Sequence, residues 1–104
     1  MENISINQLQ FSAKKLHRIH RIDKSVRDYF DKHHGVNEVA AVDLMPLFIS
    51  KGIFIDDIPA GKHIRILLQE MHRTGQMHLF TSIQMVKKQE NGKWYFKRKL
   101  LVNL

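Results

Sequence analysis

Apolar positions along this chain recur at helical spacing in its first two-thirds and at strand spacing near its end. Leu9, Ala13, Leu16 and Ile19 or His20 repeat at helical spacing, with Lys14, Lys15, Arg18 and Arg21 between them. This predicts a short helix near residues 7–21, or a basic arm that orders on binding. A further helix is marked from Ser25, which can cap it, with Asp28 three residues on as a capping-box partner. Val26, Tyr29 and Phe30 form its apolar stripe. His33 and His34 fall in its last turn, and Gly35 stops it. Glu38 to Val42 is short and partly β-branched, as a strand is. Asp43 can then cap a helix that carries Pro46 in its first turn, buries Leu44, Leu47 and Phe48, and ends at Gly52.

The next pattern is the clearest. Ile64, Leu67, Leu68 and Met71 stand at i, i+3, i+4 and i+7, which makes one buried helix face. With Asp57 as cap and Pro59 near its start, this helix is expected over Pro59–Thr74, stopped by Gly75. At about 100° per residue, Lys62, Arg65, Ile66, Gln69 and Arg73 fall on its opposite face. The period then changes to two. Met77–Lys87 carries Leu79, Ile83 and Met85 on one side, and Lys93–Leu101 returns through Trp94, Phe96 and Leu100. Asn91-Gly92 between them predicts a two-residue hairpin turn, because both positions tolerate φ > 0. That turn would pair Lys88 with Tyr95 and Val86 with Lys97. The other face and the tip would hold Lys87, Lys88, Lys93, Tyr95, Lys97 and Lys99.

Charge sharpens this picture. The 104-residue chain carries a net charge of +7, all of it in residues 59–104, which hold nine basic and two acidic residues. Residues 1–58 hold eight of each and cancel. A chain of this length makes one domain, burying roughly 60–70% of its unfolded surface. The division expected is an N-terminal helix or basic arm over 1–22 and a domain over 23–104. The absence of cysteine excludes disulfides, thiolate zinc sites and cysteine nucleophiles. Apolar runs are far shorter than the ~20 residues of a membrane span. The first residues have no signal-peptide pattern, so a cytoplasmic location is expected. A pI near 9.9 points to nucleic acid, an acidic partner or an anionic surface.

In order, the elements are helix, short strand, helix, helix, strand, hairpin tip and strand. This resembles the winged helix-turn-helix fold over roughly residues 23–101. The fold class expected is therefore α+β and winged-helix-like: a three-helix core, a C-terminal β-hairpin wing and an extra N-terminal helix or arm. The resemblance implies that the third helix, Pro59–Thr74, enters a DNA major groove, and that the wing tip, Lys88–Lys93, touches backbone or minor groove. Two features depart from the pattern. The connection after Gly52 is longer than a tight helix-turn-helix allows, and Ile66 is an apolar residue within the reading face.

On this reading Arg65 can make a bidentate contact to guanine and Gln69 to adenine. Lys62 and Arg73 can hold phosphates, and Ile66 can meet a thymine methyl or a protein. Lys87, Lys88, Lys93, Lys97 and Lys99 would add phosphate contacts while also guarding a sheet edge. About five to seven such contacts would give a salt slope of about −4 to −6. Trp94 and Phe96 face the core, so Tyr95 alone is free to stack on a base.

The chemistry of other classes is thin. His17 with His20, and His33 with His34, lack the convergent ligands of a metal site, so no metal or cofactor is expected. Asp56-Asp57 is better explained by capping than by catalysis, and no catalytic motif is present. The function expected is non-enzymatic nucleic-acid binding, to duplex DNA, as a transcription regulator or DNA-processing accessory. The alternative is a protein–protein adaptor on the same fold, with Ile66 and the basic surface meeting an acidic partner. A third reading attaches residues 9–22 to an anionic membrane surface, with no integral membrane association. Pairing into a homodimer through the N-terminal helix would let two copies read two half-sites.

Overall fold

A computed structural model of the protein describes residues 11–99. Its first element is one 20-residue helix, α1 (Ala13–Lys32), where the sequence pattern suggested two. Ser12 caps it by accepting from the Lys15 amide at 3.1 Å. Ser25, expected as a cap, lies inside the helix and is buried. The boundary expected at residue 22 therefore falls within α1. The helical reading of residues 7–10 lies outside the described residues.

After α1 the chain forms the strand β1 (Glu38–Ala40) and a 3₁₀ turn (Ala41–Leu44), which leads directly into α2 (Met45–Ser50). Asp43 makes no capping hydrogen bond, because the 3₁₀ turn takes over the helix start. Pro46 does sit in the first turn, where a missing N–H is harmless. A long connection reaches α3 (Lys62–Arg73). A second 3₁₀ turn (Met77–Leu79) occupies the start of the expected strand, and Phe80 turns into the core behind it. The strands β2 (Ile83–Lys87) and β3 (Trp94–Arg98) follow.

Among the described residues the architecture is α+β: three α-helices against a three-stranded antiparallel sheet of order β1-β3-β2. The hairpin register differs from the expected one by two residues. Met85 lies opposite Phe96 and Val86 opposite Tyr95. The cause is the turn. No described non-glycine residue has positive φ, so Asn91 cannot take part in a type I′ turn. Instead its Oδ1 accepts from the Lys93 amide at 2.9 Å, and Gly92, at φ 68°, donates to the Lys88 carbonyl. The tip therefore holds four residues between Lys88 and Lys93. A slip of two keeps every side chain on its face, so Ile83, Met85, Trp94 and Phe96 are still the buried ones. Leu100 and Leu101 lie outside the described residues.

The core lies where the sheet's inner face meets the helices. α1 contributes Ile19, Ile22, Val26 and Phe30, and α3 contributes Ile64, Leu67, Leu68 and Met71. Phe96 stands at its centre, edge-on to both Phe48 and Phe80. Each such side chain is worth about 1.5–3 kcal/mol on full burial. Two polar contacts tie α1 to the C-terminal half. The buried Asp23 accepts from the Thr81 hydroxyl at 3.2 Å and the Ser82 amide at 3.0 Å. The Arg98 guanidinium donates to the carbonyls of Phe30 and Val36 at 2.8 Å and of His33 at 3.1 Å, at the C-terminal end of α1 and just beyond it.

Candidate nucleic-acid interface

The outward face of α3 is positioned by the connection before it. Asp57 Oδ1 accepts from the Gly61 amide at 2.7 Å, so this carboxylate closes the turn leading into α3 rather than capping the helix itself. The helix consequently starts at Lys62, three residues later than expected. Gly61 has φ 77°, and a Cβ there would lie 2.7 Å from Val42 Cγ1. Backbone conformation and close approach both demand glycine. Asp56 Oδ1 accepts from the Ile58 amide at 3.0 Å and lies 3.0 Å from His63 Nε2. These contacts, the Ile58 amide first and His63 second, hold the Asp56 carboxyl below its ordinary pKa.

From this seat α3 projects Lys62, Arg65, Gln69 and Arg73 into solvent. None of the four makes a side-chain ion pair among the described residues. The single acid on the helix, Glu70, is taken by Lys15 of α1 at 2.7 Å. The positive charge of the face is therefore left uncompensated. Ile66, 48% exposed, lies toward the α1 flank of that face. It lines a groove of about 370 Å³ with Arg18, Phe54 and Ile55. Arg65 lies on the other flank and shares a groove of about 160 Å³ with Val42, Gly92 and Lys93 at the hairpin tip. The structure thus brings Arg65 and Lys93 together and sets Ile66 apart from both.

The hairpin cations are less free. Lys88 pairs with Glu38 of β1 and stands 4.3 Å from the centre of the Tyr95 ring. The Glu38 contact raises the Lys88 pKa above its ordinary value. Tyr95 is half-buried, and its hydroxyl accepts from Asn91 Nδ2 at 3.0 Å. One ring face is thus covered by Lys88, which narrows the room for a stacked base. Lys87 lies opposite Trp94, on the strand side that faces the core, with its ammonium 5.8 Å from the indole centre. Alternation therefore separates Lys87 from the outer-face lysines it was grouped with. Lys99 donates to the Thr81 carbonyl at 3.1 Å. Lys93 and Lys97 are exposed and make no ion pair among the described residues.

Trp94 connects the two halves of the surface, with His72 of α3 edge-on to it at 5.6 Å. Its indole N–H is buried without a hydrogen-bond acceptor, so its place is set by packing rather than by polar contact.

Sequence reading did not single out Arg98 or Asp23. Both were visible in principle. Arg98 shares the parity of Trp94 and Phe96, so alternation points it inward. Asp23 falls within the arc of Ile19, Ile22, Val26 and Phe30 once α1 is taken as continuous. Among the described residues no cluster of three or more His, Cys, Asp or Glu side chains could hold a metal ion. No described helix is long and apolar enough to cross a membrane. Comparison of the chain with protein-family models, with curated protein sequences and with solved structures gives no match.

Proposed function

We propose that the protein is a winged-helix-like module that binds duplex DNA through the outward face of α3, with the hairpin as its wing. The observation that carries this reading is the unpaired cationic face of Lys62, Arg65 and Arg73 around Gln69, next to a hairpin tip that contributes Lys93. The element order and the attachment of β1 to β3 are compatible with a winged helix. Arg65 and Gln69 have the donor and acceptor sets for guanine and adenine edges. Lys62, Arg73, Lys93 and Lys97 supply sequence-independent attraction to phosphates. The module works without a cofactor.

About four phosphate contacts give a salt slope of about −4. Fluorescence anisotropy against a random-sequence duplex, at low and near-physiological salt, tests this. Micromolar binding with that slope supports the reading, and no binding at low salt sinks it. Placing Ile66 in a groove with the exposed Ile55 favours a second reading, a protein adaptor on the same scaffold. That reading expects little affinity for DNA and loss of partner binding on Ile66→Asp.

A further inference from the structure

The groove of about 160 Å³ between α3 and the hairpin tip has apolar walls. Ala40 and Ala41 come from the junction of β1 and the first 3₁₀ turn, Val42 from that turn, Ile64 from α3 and Trp94 from β3. Small residues leave the space open: the two alanines, and Gly92, which brings bare backbone to the lining. The walls are also fixed. Val42 lies so close to Gly61 that a Cβ there would stand 2.7 Å from its Cγ1. Ala40 is held in the β1–β3 ladder opposite Tyr95, and Asn91 Oδ1 holds the Lys93 amide at 2.9 Å. A site already shaped in the free protein costs a ligand little reorganisation.

The charge of this lining has one sign. Arg65 and Lys93 are its ionisable residues, and it includes no acid. Both are exposed, and neither side chain has an ion-pair, hydrogen-bond or ring partner among the described residues. The groove between α1 and α3 is different, since Lys15 there answers Glu70 and His63 answers Asp56. Two unpaired cations beside an apolar wall suit an anion that carries an apolar body. The Arg65 guanidinium can take a carboxylate with two parallel N–H donors, and Lys93 can add a point charge. Volume limits the body: a cavity of about 150 Å³ with aliphatic walls holds one benzene ring.

We propose that this groove binds a small carboxylate with an apolar body of about one ring, its charge on Arg65 and Lys93 and its body against Val42, Ile64 and Trp94. The site shares two cations with the proposed DNA face but does not rest on that reading.

Benzoate is the probe. Trp94 is the single tryptophan of the chain, so a nitrogen–proton correlation spectrum of the full chain has one indole peak, and that peak reports the groove. Benzoate is expected to move it saturably with a Kd of about 1 mM or tighter, within reach of a ligand of about nine heavy atoms. Benzyl alcohol, with the same ring and no charge, should bind about 10-fold more weakly. Inorganic phosphate, with charge and no ring, should leave the peak in place. Arg65→Ala and Lys93→Ala, both at exposed positions, should keep the wild-type fold and each weaken benzoate by about 5-fold or more. No saturation by about 10 mM benzoate overturns the proposal. So does equal binding of benzyl alcohol, a phosphate shift that matches that of benzoate, or indifference to both substitutions. The titration contains no DNA, so its failure leaves duplex binding standing. Benzoate binding without duplex binding removes the DNA reading alone.

Discussion

The helix α3 and the β2–β3 hairpin carry most of the charge of the cationic half of the chain, yet they use it differently. On α3 the one acid is drawn away by Lys15, and three cations are left facing solvent. On the hairpin, Lys88 answers Glu38, Lys99 answers a carbonyl, Lys87 lies over Trp94 and Arg98 closes the end of α1. Counting charges would make the hairpin the stronger polyanion surface. Their partners make the helix the stronger candidate. Cations already satisfied within the protein must first give up that interaction before they can serve a ligand.

The largest effect that would sharpen this contrast is at Arg98. Arg98→Leu strands the carbonyls at the end of α1 and should cost roughly 2–3 kcal/mol of stability. Urea unfolding reads this as a lower midpoint. A loss in DNA affinity without a loss in stability would instead place Arg98 among ligand contacts and break the contrast. Next is the double variant Lys62→Ala, Arg65→Ala. It should weaken duplex binding by about 30-fold with an unchanged unfolding midpoint, in line with one base contact and one phosphate contact. An unaltered anisotropy curve would remove α3 from the interface.

A smaller effect separates two lysines on the hairpin itself. Lys93→Ala should reduce the magnitude of the salt slope by about 1, whereas Lys88→Ala should leave it nearly unchanged. Equal effects would mean that the Glu38 pairing does not withhold Lys88. The smallest effect is in pH. The Asp56 carboxyl has a lowered pKa, so its contribution is present above the ordinary value of 3.8 and is lost as pH falls through the lower folded value. The raised Lys88 pKa has the opposite sign: its contribution is present below 10.5 and is lost as pH rises through the higher folded value. Acid therefore loosens the seat of α3, and alkali loosens the hairpin's link to β1. In an NMR titration the Ile58 amide should shift with a midpoint below 3.8. A midpoint above that value would show that the Asp56 contact does not form.

What the sequence made legible follows from periodicity. The stripe of Ile64, Leu67, Leu68 and Met71 is buried as expected, and so are Ile83, Met85, Trp94 and Phe96 of the hairpin, because both rest on one local spacing, whereas Leu79, read with them, lies in a 3₁₀ turn and is only partly buried. The misreadings arose where a tertiary partner changed the local logic. Ser25 resembles a helix cap but lies inside α1, where the neighbouring Asp23 is polar because it holds the Thr81–Ser82 turn. Asn91-Gly92 carries a hairpin signal, but the Asn91 side chain bonds the Lys93 amide and lengthens the tip. The candidate site was legible in its residue types and in the outward face of α3. It was not legible in its subdivision, because sequence spacing cannot tell which neighbour each flank of a helix meets. Ile66 turns to α1 and the Ile55 loop, and Arg65 to the hairpin, only once the three elements are packed.

The Arg98 contact has a further consequence, for the order in which the chain becomes a protein. Its guanidinium reaches back 68 residues to Phe30, and Asp23 reaches forward 59 residues to Ser82. During synthesis from the N-terminus, α1 would emerge with its end and its buried acid unanswered, and would wait until Ser82 and Arg98 had followed. Contacts of such sequence separation slow folding, since the loop must close before they form. β3 thus acts as the latch of α1, and a chain cut before Arg98 would keep most of its core residues while losing the means to lock them.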